Sequence, residues 1–299
     1  TDHAIDCHVD DAGFVYLVGR THSRAGFAGN AWPEVNPLMP YGGEIADAFV
    51  VKLDPSGSTM LFSTYFGGGD PTNPNGSGGA DWGLGLSVTA TGVMAICGFT
   101  ESTNFPITSS ASQQVKSSGD VDAFVSIISS DGTTLAYSTY LGGTGGDYAF
   151  GINYEDNGDL DLCGFTSSAD FPVTPNAFQS LHGGDFDGFV AHANLITGAI
   201  YASYFGFAGT DQFLDLAIDA QGRVVCCGMT NGATDLSTLL PLGTTPYQAT
   251  FAGSIDAIIT RFDATLSGPA SLVYATYLGG SAGESAWGVD IEAASGDVV

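Results

Sequence analysis

Apolar and polar positions alternate along this chain in short blocks. Runs of about five to eight residues, rich in Val, Ile, Phe, Tyr and Thr, are separated by clusters of Gly, Asp, Asn and Ser. That pattern predicts β-strands joined by turns. No stretch sustains a helical period. Some runs are apolar on both faces, as in Ala48-Phe49-Val50-Val51 and Met60-Leu61-Phe62. Strands of that kind belong in a sheet covered on both sides.

The blocks recur. An aspartate followed eleven residues later by a glycine opens four units: Asp2 and Gly13, Asp81 and Gly92, Asp147 and Gly158, Asp211 and Gly222. A looser fifth start is Glu284 with Gly296. A short apolar run then ends in Gly-x-Thr at Gly19-Arg20-Thr21, Gly98-Phe99-Thr100, Gly164-Phe165-Thr166 and Gly228-Met229-Thr230. A third signature is Asp47-Ala48-Phe49-Val50, repeated at Asp122, Asp187 and Asp256. The last is Ser63-Thr64-Tyr65-Phe66-Gly67-Gly68, with copies ending at Gly143, Gly206 and Gly280. The glycine-to-glycine steps are 79, 66, 64 and 74 residues, so insertions fall in loops.

Each unit therefore reads as four strands, a to d, with turns such as Asp54-Pro55-Ser56-Gly57 joining c to d. Self-similarity at this period signals a repeat architecture. A solenoid normally uses shorter repeats. Four-stranded sheets stacked around an axis cover both faces of each sheet, so the expected fold is an all-β propeller of four-stranded antiparallel blades. The units are 1–80, 81–146, 147–210 and 211–283, with a partial unit at 284–299, all in one propeller domain spanning 1–299.

The signatures together resemble the bacterial SBBP β-propeller repeat family. The matching text is Gly-x-x-Tyr/Val-x-x-Gly-x-Thr, then Phe-Pro, then Asp-Ala-Phe-Val-x-Lys-Leu, then Ser-Thr-Tyr-Leu-Gly-Gly. Phe105-Pro106 and Phe171-Pro172 carry the Phe-Pro element, and Gln113 and Gln179 follow it. The first and fourth units depart from the pattern between strands b and c. The resemblance implies a secreted or surface-exposed propeller, often part of a larger protein, with no shared catalytic residues to carry over.

Four units and a fraction do not close a ring, and open blade faces would leave large apolar patches in water. Three expectations follow: a segment of a longer chain with a larger ring, a small ring with an irregular last blade, or open faces buried by self-assembly.

Charge narrows the partners. With 32 acidic and 6 basic residues the formal net charge is −26. Such a surface repels nucleic acid and anionic membranes and suits divalent cations. No apolar run is long enough to span a bilayer. Cys97, Cys163 and Cys227 share one phase of the repeat, where the first unit has Val18, which marks a small buried apolar slot before it marks a metal site. The adjacent Cys226 and Cys227 should point to opposite faces of their strand.

Candidate sites fall where the repeat breaks. The Gly26–Glu44 insertion holds Trp32, Glu34 and Tyr41, whose rings could stack on a sugar or a protein partner, or else pack down on the blade edge. Asp70, Asn73, Asn75 and Asp81 could ligate calcium, although the spacing is not that of a known calcium loop and a plain loop is the simpler reading. A third break is Asn231–Tyr247. Arg20 replaces the apolar residue of the other units; it could bind an anion or simply reach solvent. Asp47, Asp122, Asp187 and Asp256 recur in every unit, which points to turn capping rather than chemistry. No catalytic motif of nucleophile, zinc or phosphate-loop type is present. The expected function is a non-catalytic extracellular or cell-surface scaffold, structural or adhesive, with a protein or glycan partner. The alternatives are a glycan-binding or glycan-hydrolysing propeller and a calcium-stabilised interaction module.

Overall fold

The computed structural model describes residues 1–23, 32–41, 46–69, 79–292 and 295–299. The described residues form an all-β fold of four antiparallel four-stranded sheets, with helix confined to two short 3-10 turns at 236–238 and 268–271. The first sheet holds β1 (Asp2–Val9), β2 (Val15–Thr21), β3 (Asp47–Leu53) and β4 (Met60–Phe66). The second holds β5 (Asp81–Val88), β6 (Met94–Thr100), β7 (Asp122–Ile128) and β8 (Leu135–Leu141). The third holds β9 (Asp147–Tyr154), β10 (Asp159–Thr166), β11 (Asp187–Asn194) and β12 (Ile200–Phe205). The fourth holds β13 (Asp211–Ile218), β14 (Val224–Thr230), β15 (Asp256–Phe262) and β16 (Leu272–Leu278). In every sheet the strands lie side by side in chain order. The aspartates expected to open strands a and c do so in all four.

The glycines of the signatures are sites of close approach. In the first, second and fourth sheets, strand a bulges where it passes the Gly-x-Thr glycine. A Cβ on Gly98 would lie 1.8 Å from the carbonyl oxygen of Trp82, and one on Gly228 would lie 1.8 Å from that of Gln212. Only a residue without a Cβ fits there. The a-to-b turns use a different property of glycine: Gly13, Gly92, Gly158 and Gly222 all sit at φ between +74° and +88°.

The chain divides into two compact units, residues 1–149 with 154–156, and residues 150–153 with 157–299. In the first, Val18, Val50, Phe62 and Phe66 of one sheet pack with Leu86, Met94, Ile96 and Phe124 of the next. The Leu86 N–H also donates to Asp6 Oδ2 at 2.8 Å, and the Asp81 N–H to the Ala46 carbonyl at 2.9 Å. In the second unit, Cys163, Val190 and Phe205 pack with Phe213, Leu216, Cys226 and Ile258. The partial repeat lies against the fourth sheet in the same way. The Val289 N–H donates to Asp215 Oδ2 at 2.9 Å, and the Glu284 N–H to the Ile255 carbonyl at 3.0 Å. The described residues of this partial repeat form no extended strand: an isolated bridge joins Ile291 and Val298.

The last strand of each sheet is capped by the b-to-c connection of the same sheet. Val35 and Ser63 exchange backbone hydrogen bonds of 3.0 and 2.8 Å, and the Thr108 N–H reaches the Ser138 carbonyl at 3.1 Å. Thr174 does the same to Ala202 at 3.0 Å, and the Tyr277 N–H reaches the Gln248 carbonyl at 3.1 Å. Edges that would otherwise template aggregation are thereby occupied.

Candidate functional site

The recurrent polar residues are engaged in holding their own repeat or the end of the one before it. The tyrosine of strand d donates its hydroxyl hydrogen to the loop after Gly-x-Thr: Tyr65 to the Ser23 carbonyl at 2.8 Å, Tyr140 to Ser102 at 2.9 Å, Tyr204 to Ser168 at 2.7 Å and Tyr277 to Thr234 at 3.2 Å. Burial pushes Tyr65 and Tyr277 up to about 12, so both remain donors at any physiological pH. The tyrosine oxygen in turn accepts the Trp32 N–H at 3.1 Å and the Phe105 N–H at 3.0 Å.

A glutamine ties the start of strand c to the end of strand d. Gln113 Nε2 donates to Asp122 Oδ2 at 3.0 Å, while its Oε1 accepts the Gly142 N–H at 3.0 Å. Gln179 links Asp187 and Gly206 at 3.1 Å each. Gln248 links Asp256 at 3.2 Å and Gly279 at 3.1 Å. These aspartates are fully buried, and each accepts a loop N–H as well: from Ser117, Gly183 and Ala252. A buried carboxylate requires such donors. The role of Gln248 escaped the sequence reading. Its signal is an aromatic-Gln step eight residues before the strand c aspartate, shared by Phe178-Gln179 and Tyr247-Gln248.

The strand a aspartates accept hydrogen bonds as well. Asp81 accepts the Gly68 N–H at 2.8 Å and the Ser102 hydroxyl at 2.9 Å. Asp211 accepts the Phe207 N–H at 2.7 Å, and burial pushes its carboxyl up to about 6. Of the strand c aspartates, Asp187 is likewise raised by burial, with the Gly183 N–H and His182 Nε2 at 4.0 Å pulling the other way.

Of the calcium candidates, Asp70, Asn73 and Asn75 lie outside the described residues. Asp81 is within them, with both carboxylate oxygens engaged as above. Among the described residues, no group of three or more His, Cys, Asp or Glu side chains converges as a metal site.

Trp32 stacks on Phe49 with ring centroids 4.3 Å apart, and its Nε1 donates to Ser63 Oγ at 2.8 Å. Phe105 lies 4.4 Å from Phe124 and Phe171 lies 4.6 Å from Phe189 in the corresponding places. Trp32-Pro33 is thus the first repeat's counterpart of Phe-Pro. Tyr41 is buried and tilted on Tyr65 at 5.1 Å. Glu34 is exposed beside this cluster. Arg20 lays its guanidinium over the Trp82 ring, 3.5 Å from the centroid. Trp32, Tyr41 and Arg20 all belong to the first 149 residues, but Arg20 contacts the Trp82 side of the sheet rather than the Trp32 stack.

Two further features break the repeat in the second compact unit. His192 Nδ1 lies 2.8 Å from buried Asp161 and its Nε2 lies 3.8 Å from Asp159. The hydrogen bond to Asp161 raises the imidazole above its usual value. Cys163 and Cys226 share the core, and burial raises the Cys226 thiol well above its ordinary range. Such thiols are inert as nucleophiles. The repeat phase placed Cys163 with Cys227, whereas the core cluster contains Cys163 and Cys226.

No protein-family model matches the chain, and no curated protein matches it.

Proposed function

We propose that this chain is built of β-propeller blades and serves as a non-catalytic scaffold outside the cell, structural, adhesive or partner-binding. The observation that carries the reading is the engagement of the repeated side chains. Aspartate, glutamine and tyrosine recur because the backbone of each repeat, or of the one before it, needs them, not because a reaction needs several copies. Function on such a frame belongs to positions where the repeat is broken. Four four-stranded sheets, each with its strands in chain order and its last strand capped, support the propeller reading, as does the resemblance to SBBP repeats. That resemblance and the acidic, lysine-poor composition support an extracellular setting.

Electron microscopy of the protein purified from its native source tests this reading. Filaments or ordered arrays make it a structural component, and discrete particles with closed rings make it a tethered or soluble propeller. A globular particle without radial symmetry would overturn the propeller itself. Turnover of any substrate that disappears on mutating one loop carboxylate would overturn the non-catalytic assignment.

A further inference from the structure

We infer that Arg20, stacked on Trp82 with His3 beside it, is a binding site for a carboxylate. The inference stands on local geometry and does not depend on the scaffold reading.

The chain carries 32 acidic residues against 6 basic ones. Among the described basic side chains, the others are engaged. Arg223 Nε lies 2.7 Å and Arg261 Nε 3.3 Å from Asp219. Lys52 donates to the Ser130 carbonyl at 3.3 Å, and Lys116 to that of Gly119. Arg20 is the exception: it has no acidic partner and no hydrogen bond among the described residues. Its contact is with an indole face.

The repeat explains why the fork is nonetheless held. The second repeat has Phe99 in the place of Arg20, and Phe99 meets Tyr148 of β9 edge-on at 5.2 Å. Arg20 keeps a contact with the aromatic residue at the second position of the next strand a, now face-on to the Trp82 indole, and adds five N–H donors in a fixed plane. Stacking on Trp82 removes much of the rotamer freedom that an arginine otherwise loses on binding. The register pairs Arg20 with His3, which puts an exposed imidazole on the same face. The carboxylates at this end of the sheet already have donors. Asp2 accepts the hydroxyls of Thr21 and Ser23 at 2.5 and 2.9 Å, and Glu101 accepts the Ala80 N–H at 3.0 Å.

A planar fork with an open edge fits a carboxylate in bidentate fashion. The carboxylate could be a free small molecule or a side chain of an acidic polypeptide, and the test separates the two. The chain has four arginines, so their Nε–Hε signals resolve in a proton–nitrogen correlation spectrum. The intact chain is titrated with citrate at constant ionic strength, and separately with poly-glutamate. The expected result is a saturable shift of the Arg20 signal, with Arg223 and Arg261 unmoved, complete by about 50 mM because one charge-assisted pair supports a Kd of roughly millimolar order. Saturation by citrate alone points to a small metabolite, and by poly-glutamate alone or by both to an acidic chain.

Arg20→Phe, which installs the second repeat's own residue, should keep the melting temperature and abolish the stabilisation by citrate. Arg20→Lys, which keeps the charge but loses the fork, should weaken binding at least tenfold. Absence of a saturable shift with either probe, equal shifts at all arginines, or undiminished binding in Arg20→Lys would overturn the assignment.

Discussion

The first and second repeats do the same structural work with different residues. Where the second places Phe105 on Phe124, the first places Trp32 on Phe49. Where the second anchors its connection with the N–H of Gln113 on Thr139 Oγ1 at 2.9 Å, the first uses the N–H of Met39 on Thr64 Oγ1 at 3.1 Å. Where the second has Phe99, the first has Arg20. The comparison teaches that the backbone position is what the fold fixes. A side chain is free to change wherever its contribution is a flat ring or a main-chain N–H. It is fixed where the contribution is an absent Cβ or a specific carboxylate.

The hardest test of that distinction is Gly98→Ala. The new methyl would lie 1.8 Å from the Trp82 carbonyl and 3.0 Å from Phe124, so β5 and β6 must separate. The expected loss is on the order of 4 kcal/mol or more, enough to unfold a marginal domain, read as a fall in the denaturation midpoint. An alanine tolerated within about 0.5 kcal/mol would show that the bulged approach of strands a and b is not a requirement.

Next in size is Gln113→Met, which copies Met39 into the second repeat. It removes the Nε2 donor from buried Asp122 and leaves the Gly142 N–H without its acceptor. A loss of roughly 2–3 kcal/mol is expected, because deleting one side of a buried polar pair costs the desolvation of the other. The double variant Gln113→Met with Asp122→Asn should lose less than the sum of the two single changes. Strict additivity would mean the glutamine acts by packing alone.

This contrast also explains what was legible in the sequence. Strand order, strand starts and the a-to-b turns were readable because aspartate and glycine at those points answer a local backbone need that repeats unchanged. Trp32 stayed open between a ligand contact and packing on the blade edge because Trp-Pro does not look like Phe-Pro as text, although an indole and a phenyl ring fill the same stack. Gln248 was hidden by an irregular connection through 231–247 that changes the distance from Gly-x-Thr but not the distance to Asp256. The partner of Arg20 was out of reach for a different reason: Trp82 lies 62 residues further on, in the next sheet, and no local pattern marks that contact. The divided identity of the cysteines shows the same limit, since phase along a strand says which face a thiol takes but not which neighbour it meets.

A smaller effect sharpens the ring-for-ring exchange. Trp32→Phe should cost about 1 kcal/mol, the net value of the Nε1 bond to Ser63, because the stack on Phe49 survives. Trp32→Ala should cost about 3–4 kcal/mol by losing the stack as well. Equal losses from the two would make the indole N–H, not the ring, the essential feature. Sugar binding abolished by Trp32→Phe at unchanged stability would restore this side chain to a ligand role.

The gentlest perturbation is pH, and it sets groups whose charge the fold penalises against groups whose charge the fold favours. Burial raises Asp211 from 3.8 to about 6, so its charged form is the penalised one in the folded chain. Its contribution is fully favourable below about 3.8 and is lost as pH rises through about 6. His192 has the same sign: the bond to Asp161 raises it above 6.5, and the stability this brings is lost as pH climbs past the raised value. Asp10 and Asp219 are held below their ordinary value, by the N–H groups of Phe14 and Arg223 among others, against the opposing pull of burial. They lose their contribution only as pH falls below about 4. Melting temperature should therefore climb as pH drops from 7 towards 5 and turn over near 4. Asp211→Asn should flatten the rise between 6 and 4, and His192→Gln should flatten the part above 6.5. A profile that peaks above 7, or that neither variant alters, would show that these two groups do not govern the acid side of the stability curve.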